Sequence, residues 1–254
     1  MPRSFTYSAI TLRIRQSGQS NREAWFLTAE EGVVQATLFG GPKSRLRAQV
    51  SPFHEGTLWI YHDTVRDSRK VTDFDVHSYR PGIRELYERA MTADAAAQTI
   101  LSSHGGGGSW PVAAKLAASV LDCLDWADAA LCSRLGVYFL WRWAGVLGLK
   151  PEISSCSSCF CQMKRDEPLW YCAVDGALLC GPCAQRETRL PAHSPSLLRL
   201  GGGARLWLDS IESLPPAALA RITLDGPSLE QARALSKAVL AGALGKRLPT
   251  WEEI

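Results

Sequence analysis

The sequence predicts an α+β protein of several domains: a small β-barrel, then an α-helical domain interrupted by a four-cysteine ribbon. Three observations predict it. Short alternating apolar stretches separated by turn residues fill residues 5–80. From Pro81 onward the texture turns Ala/Leu-rich with helical spacing. Six of the eight cysteines fall between Cys156 and Cys183.

The chain has 254 residues, 46% apolar and 21% charged, enough for a real core and too apolar for disorder. No run of about 18 uncharged apolar residues exists. The richest stretch, Gly136 to Leu149, is broken by Arg142, and MPRSFTYSAITLRIR has no signal-peptide pattern. A cytoplasmic protein without a membrane segment is expected. The net charge of +3 is nearly balanced, but no acidic residue stands between Glu31 and Glu55, where Lys43, Arg45 and Arg47 cluster.

In the barrel segment, Ile10, Leu12 and Ile14 alternate. Ala24 to Leu27, Val33 to Phe39, Leu58 to Tyr61 and the Phe74/Val76 pair follow. Five strands in residues 1–80 fit a closed barrel of the OB type, although a sandwich counts the same way. The turn Phe39-Gly40-Gly41-Pro42-Lys43-Ser44-Arg45-Leu46-Arg47 carries glycines for close approach and a hydroxyl and three cations for phosphates. Arg66, Arg69 and Lys70 form a second cluster interrupted by Asp63 and Asp67. Phe53, Trp59 and Tyr61 are candidate stacking platforms; Trp59 and Tyr61 share one strand face and Leu58 and Ile60 the other, so one pair is core.

The helical domain opens over residues 81–153, with helices at 83–101, 111–131 and 133–149 and a Gly-rich linker at 102–109. Cys123 and Cys132 fall on one expected helix, on opposite faces. The domain resumes over 188–254, where Ser228 and Gln231 read as a capping box ahead of the stripe Leu229, Ala232, Leu235, Val239 and Leu240.

Between these parts, at 154–187, Cys156-x-x-Cys159 and Cys180-x-x-Cys183 have the spacing of a zinc ribbon. Each two-residue gap turns two thiolates toward one ion, and four thiolates fill a tetrahedral site, so one structural zinc is expected. Cys161 could take a ligand place by slipping the first knuckle, and Cys172 is a spare; otherwise both read as buried or half-buried ribbon side chains. Pro182-Cys183 lacks the second cysteine of a deaminase site, and no His-x-Glu or His-Glu-x-x-His occurs. With no nucleotide loop or nucleophile constellation, no enzymatic activity is expected.

The order of these parts resembles the RecO family of bacterial recombination mediators. Gly18-Gln19-Ser20-Asn21-Arg22, Thr28-Ala29-Glu30-Glu31-Gly32, Gly41-Pro42-Lys43-Ser44-Arg45-Leu46, Pro52-Phe53 and Leu147-Gly148-Leu149-Lys150-Pro151 resemble its turns, its basic loop and its junction into the ribbon. Phe39-Gly40-Gly41 stands where the family is more basic, which implies weaker DNA affinity. The resemblance implies binding of single- and double-stranded DNA, with Arg22, Lys43, Ser44, Arg45, Arg47, Arg69 and Lys70 as the DNA-binding residues. It also implies strand annealing and, with RecR, loading of RecA onto strands coated by single-stranded DNA-binding protein, hence a nucleoid location. The acidic tail of that coating protein is a target of the family's helical domain, and Arg134, Tyr138, Trp141 and Arg142 are the residues here that match such a pocket. A zinc-ribbon RNA-binding or transcription adaptor is the alternative.

Overall fold

The computed structural model describes residues 3–41, 44–105, 109–188 and 197–254. The chain forms two compact units, residues 1–129 and 130–254.

In the first unit five strands close a barrel. They are β1 (Ser4–Ser17), β2 (Asn21–Thr28), β3 (Gly32–Leu38), β4 (Glu55–Asp63) and β5 (Ser68–Ser78), ordered β1-β2-β3-β5-β4. β1 is long enough to pair with β4 through Ser4–Ile10 and with β2 through Ala9–Ser17. A bulge between Thr11 and Arg13 bends it around the corner. Between β3 and β5 the described pairing is the parallel contact of Thr37 with Lys70.

The inward face of each strand is apolar. Phe26, Val34, Leu58, Ile60, Val71 and Phe74 are buried together, with the Phe26 and Phe74 rings 5.9 Å apart. Burial of each such side chain contributes about 1.5–3 kcal/mol. Leu58 and Ile60 are therefore the core pair, and Trp59 and Tyr61 stand on the outer face, half-buried. The closed barrel is of OB type, as the sequence predicts, and a sandwich is excluded.

From Ser44 onward the basic segment is helical where a turn is expected. Ser44 caps a short helix, α1 (Arg45–Gln49), whose following residue Val50 enters the barrel core. At the far side, Gly32 has a φ of +73°, and a Cβ there would lie 2.7 Å from the Trp110 indole nitrogen. Trp110 opens α3 (Trp110–Leu124), which packs with α2 (Tyr87–Ser102) against β1 and β2. Arg80, 4% exposed and left-handed at φ 44°, joins barrel to helices. Its guanidinium donates to the Phe53 carbonyl at 2.8 Å, to Asp122 at 2.7 Å and to Glu55.

The single helix expected over 111–131 is two. The chain leaves helical geometry at 125–128, where Arg89 bonds the Asp125 and Ala127 carbonyls at 3.1 and 2.6 Å in place of helical amides. Cys123 therefore ends α3, while Cys132 lies on α4 (Ala129–Val146); both are buried.

The second unit is built on α4, which buries Trp141 and Trp143 and stacks Phe139 on Trp143 at 5.4 Å. The ribbon follows, with β6 (Leu169–Cys172), β7 (Ala177–Leu179) and α5 (Gly181–Thr188). A further strand, β8 (Leu197–Leu200), which the sequence does not announce, completes the sheet β7-β6-β8. α6 (Gly202–Ser210) and α7 (Gly226–Leu244) close the unit. The capping box of the last helix is not formed: Asp225 is the N-cap and accepts from the Ser228 amide at 2.8 Å, while Gln231 accepts from the Gly201 amide at 2.6 Å. The expected apolar stripe is present, with Ala232, Leu235, Val239 and Leu240 buried. No described helix is long and apolar enough to cross a membrane.

Candidate metal centre and nucleic-acid interface

Two knuckles bring four thiols together in the second unit. The first is a tight reversal in which the Cys156 amide bonds the Cys161 carbonyl at 3.0 Å and the Phe160 amide bonds the Cys156 carbonyl at 2.9 Å. The second forms where β7 ends and α5 begins. Pro182 sits in the first helical turn, where its missing N–H has no partner to lose, and Cys183 follows it. The Sγ atoms of Cys156, Cys159, Cys180 and Cys183 all lie within 4.8 Å of one another, and those of Cys159 and Cys180 are 3.7 Å apart. Cys156, Cys180 and Cys183 are buried and Cys159 is exposed.

The electrostatics of this cluster are uneven. Burial pushes the Cys156 thiol up, but the amides of Cys159, Cys180 and Ser158 outweigh it and bring it down to about 6. Burial raises Cys180, and the neighbouring sulfurs of Cys183, Cys156 and Cys159 raise it further. Four sulfurs this close cannot all ionise without a cation among them, so the donor set fits a metal ion. Arg186 donates to the Cys183 sulfur at 2.8 Å. The two spare cysteines are not among these four: Cys161 lies against Cys159 and Cys180 and donates to the Met163 thioether at 3.8 Å, and Cys172 donates to Asp175 at 3.2 Å. Cys172 is buried, but Cys161 is exposed, contrary to the burial expected for it, because it stands at the open end of the knuckle.

On the barrel, the expected DNA-binding residues fall on three elements. Arg22 is half-buried at the start of β2, paired with Leu38 and Gln16. Ser44, Arg45 and Arg47 belong to α1, which packs against β5; Arg45 is exposed and Arg47 half-buried. Lys43 lies outside the described residues. On β5, Arg69 is ion-paired to Glu31, which also accepts from the Tyr7 hydroxyl at 2.6 Å. Lys70 is exposed, with its ammonium 5.3 Å from the Phe39 ring centroid. Phe53, by contrast, is held in a turn at φ 70° with its amide and carbonyl bonded to Thr11 and Arg80. Phe39 and Glu31 are the residues that sequence reasoning passes over here. Strand alternation in 33–39 places Phe39 on the outward face with Gln35 and Thr37, but nothing local sets Lys70 beside it or links Glu31 to Arg69.

In the second unit, Tyr138 and Trp141 are 2% and 1% exposed. Tyr138 donates to the Leu214 carbonyl at 2.9 Å and Trp141 to the Glu212 carboxylate at 2.6 Å. Arg142 donates to the carbonyls of Ile211, at 3.0 Å, and Glu212. These three thus converge on residues 211–214, with Lys150 ion-paired to Glu212 beside them. Arg134 is half-buried, and its Nε has no partner.

Two family models span almost the whole chain: recombination protein O N terminal over residues 1–79 and recombination protein O C terminal over residues 87–252. No curated protein matches it. With the OB-type barrel ahead of the helices and the four-thiol knuckle pair between them, the chain belongs to the RecO family of DNA recombination and repair mediators.

Proposed function

We propose that this protein binds single- and double-stranded DNA, anneals complementary strands and, with RecR, helps load RecA onto strands coated by single-stranded DNA-binding protein, at the nucleoid. The observation that carries this reading is the pair of family matches over one chain, at 1–79 and 87–252. The barrel supports it chemically. Arg45 and Lys70 are exposed, and Arg22, Arg47 and Arg69 are half-buried, on β2 and β5, which flank β3 in the sheet, and on α1 packed against β5. Such cations release counterions from phosphates and leave bases free to pair. Nothing in this mechanism requires a catalytic group.

The proposed metal is one zinc ion. A tetrahedral zinc with Zn–S distances of about 2.3 Å has sulfurs about 3.8 Å apart, which the 3.7 Å between Cys159 and Cys180 matches. Four thiolates complete its coordination, so its role is structural. Cys156, Cys159, Cys180 and Cys183 hold it, with Arg186 offsetting the negative charge of the centre. For the acidic tail of the coating protein we propose the second unit, with the guanidinium of the half-buried Arg134 as the carboxylate contact. Tyr138, Trp141 and Arg142 hold the helix that carries it.

The test is strand annealing: complementary oligomers coated with the cognate single-stranded DNA-binding protein, mixed with and without this protein. Acceleration is expected; none, from folded and zinc-loaded protein, overturns the reading. Lys43→Ala with Arg45→Ala should weaken binding and lower the slope of log affinity against log salt by about 1.4 for a single strand, about 0.7 for each phosphate no longer neutralised. An unchanged slope rejects that segment as the contact.

A further inference from the structure

The seam between β3 and β5 leaves an open polar groove of about 460 Å³ on the barrel's outer face, lined by Gln35, Thr37, Ser68 and Arg69 among others. Its construction follows from strand alternation. Gln35, Thr37 and Phe39 succeed one another on the outer side of β3 and its extension, while Val34, Ala36 and Leu38 point into the core. Thr37 pairs across the seam with Lys70, so Lys70 arrives beside the next outward residue, Phe39. The chain then turns away at Gly40, whose φ of +121° is closed to ordinary side chains; a Cβ there would lie 2.9 Å from Ser44. The ring is left at the strand end, 48% exposed, with the Lys70 ammonium 5.3 Å from its centroid.

The charges around it divide unequally. Arg69 is committed to Glu31, and Asp67, also lining the groove, contacts His62. Lys70 has no carboxylate partner among the described residues; its ammonium lies against the Phe39 ring. An exposed aromatic with an unpaired cation over its ring is the pairing that a single nucleotide requires: a π-face for the base, on the side away from the ammonium, and a positive charge within the span from that base to its own phosphate. Among the outward aromatics, Trp59 and Tyr61 lie on β4, beyond β5 from this seam.

We propose that Phe39 is a stacking platform for an unpaired nucleobase, with Lys70 neutralising that nucleotide's phosphate and the polar groove receiving the adjoining nucleotide. The proposal rests on the DNA-binding reading and adds to it a means of telling strand from duplex. A paired base has both faces covered by its neighbours and cannot reach the ring, whereas phosphates are presented by both forms. Phe39 therefore acts on single strands alone, and Lys70 on both.

The experiment is fluorescence anisotropy of a labelled oligothymidylate and of a labelled hairpin duplex, titrated with the full chain and its variants. Phe39→Ala should weaken the single strand about thirtyfold, the middle of the range for one stacked base, and leave the duplex within twofold. Phe39→Leu, which keeps apolar bulk without a π-face, should behave as Phe39→Ala does, and Phe39→Trp should retain full affinity. Lys70→Ala should weaken both ligands and lower the single-strand salt slope by about 0.7. If the wild type binds the strand but Phe39→Leu binds equally well, or if strand and duplex fall together, the stacking role is wrong while DNA binding stands. If the wild type binds neither ligand, the DNA-binding reading itself fails and takes the proposal with it.

Discussion

The barrel and the ribbon are both small β-structures, and they are held by different forces. Twelve buried residues, from Tyr7 to Phe74, form the barrel core, and all are apolar or aromatic. The ribbon's buried cluster has six, of which four are cysteines and the others Leu179 and Ala184. Hydrophobic burial is non-directional and distributed, so no single barrel residue is indispensable. A metal-thiolate centre concentrates the free energy of folding in a few directional bonds, so its loss is all-or-none. The difference teaches that the ribbon's three short strands are a consequence of its knuckles, whereas the barrel's strands generate their own core.

The strongest way to break this comparison is to remove the proposed metal. Apparent zinc-binding free energies in finger peptides are about 10–16 kcal/mol, more than the whole stability of an ordinary domain. A strong chelator, or Cys180→Ser, should therefore abolish amide-exchange protection in β6 and β7 while leaving protection in β2 and β4 of the barrel. Retained protection in β6 and β7 after the metal is shown to be gone would falsify the structural role of the site.

A smaller effect sharpens the comparison at two buried arginines. Arg80 in the first unit meets two carboxylates, Glu55 and Asp122, and the Phe53 carbonyl. Arg205 in the second meets carbonyls only: Ile153 at 3.0 and 2.8 Å, Lys164 at 2.8 Å, and Glu167. Removing Arg80 costs chiefly its bonds to the Glu55 carboxylate, 28% exposed, and to the Phe53 carbonyl, about 2–4 kcal/mol together, since Asp122, 59% exposed, regains water. Removing Arg205 leaves neutral acceptors unsatisfied, at about 1–3 kcal/mol. Denaturant melts of Arg80→Met and Arg205→Met should rank in that order; the reverse order would mean that the carboxylates regain water while the ribbon carbonyls do not.

These bonds also mark what is legible in the sequence. The four-thiol cluster can be read because both knuckles are local, each closing within four residues, and the barrel strands because alternation repeats at every second position. Arg89 cannot be read as a helix breaker, because the carbonyls that it takes lie 36 and 38 residues away. Gln231 has the spacing of a capping box, yet its partner is the Gly201 amide, 30 residues back. Tyr138, Trp141 and Arg142 look like a surface stripe until residues 211–214, about 70 residues on, gather them. Local sequence rules assign a residue its nearest partner, and each of these side chains finds a better one through tertiary packing. The outward aromatics of β4 are legible as a face but not as a side, since only the closed barrel decides which pair is buried.

The smallest effect is a pH dependence confined to the barrel. Burial, and then the hydrogen bond to the Glu31 carboxylate, raise the Tyr7 hydroxyl from 10.0 to about 12. Its contribution is therefore complete below pH 10.0 and lost as pH rises toward about 12. Glu31 has the opposite sign. Burial pushes its carboxyl up, but the hydrogen bonds from Tyr7 and Arg69 outweigh this and hold it below the ordinary 4.5. Its contribution is complete above pH 4.5 and lost as pH falls through the lowered folded value. Together they give a plateau of stability between about pH 4.5 and 10 with a fall on each side. Tyr7→Phe should lower the plateau by about 1 kcal/mol, the worth of one hydrogen bond, erase the alkaline fall due to this group and weaken the acid one. The measurement is the difference between wild-type and variant urea stabilities across pH, which cancels every group titrating equally in both. A difference that stays constant through pH 10–12 would mean that Tyr7 ionises in the folded barrel as it does in the unfolded chain, and that packing alone orients its hydroxyl toward Glu31.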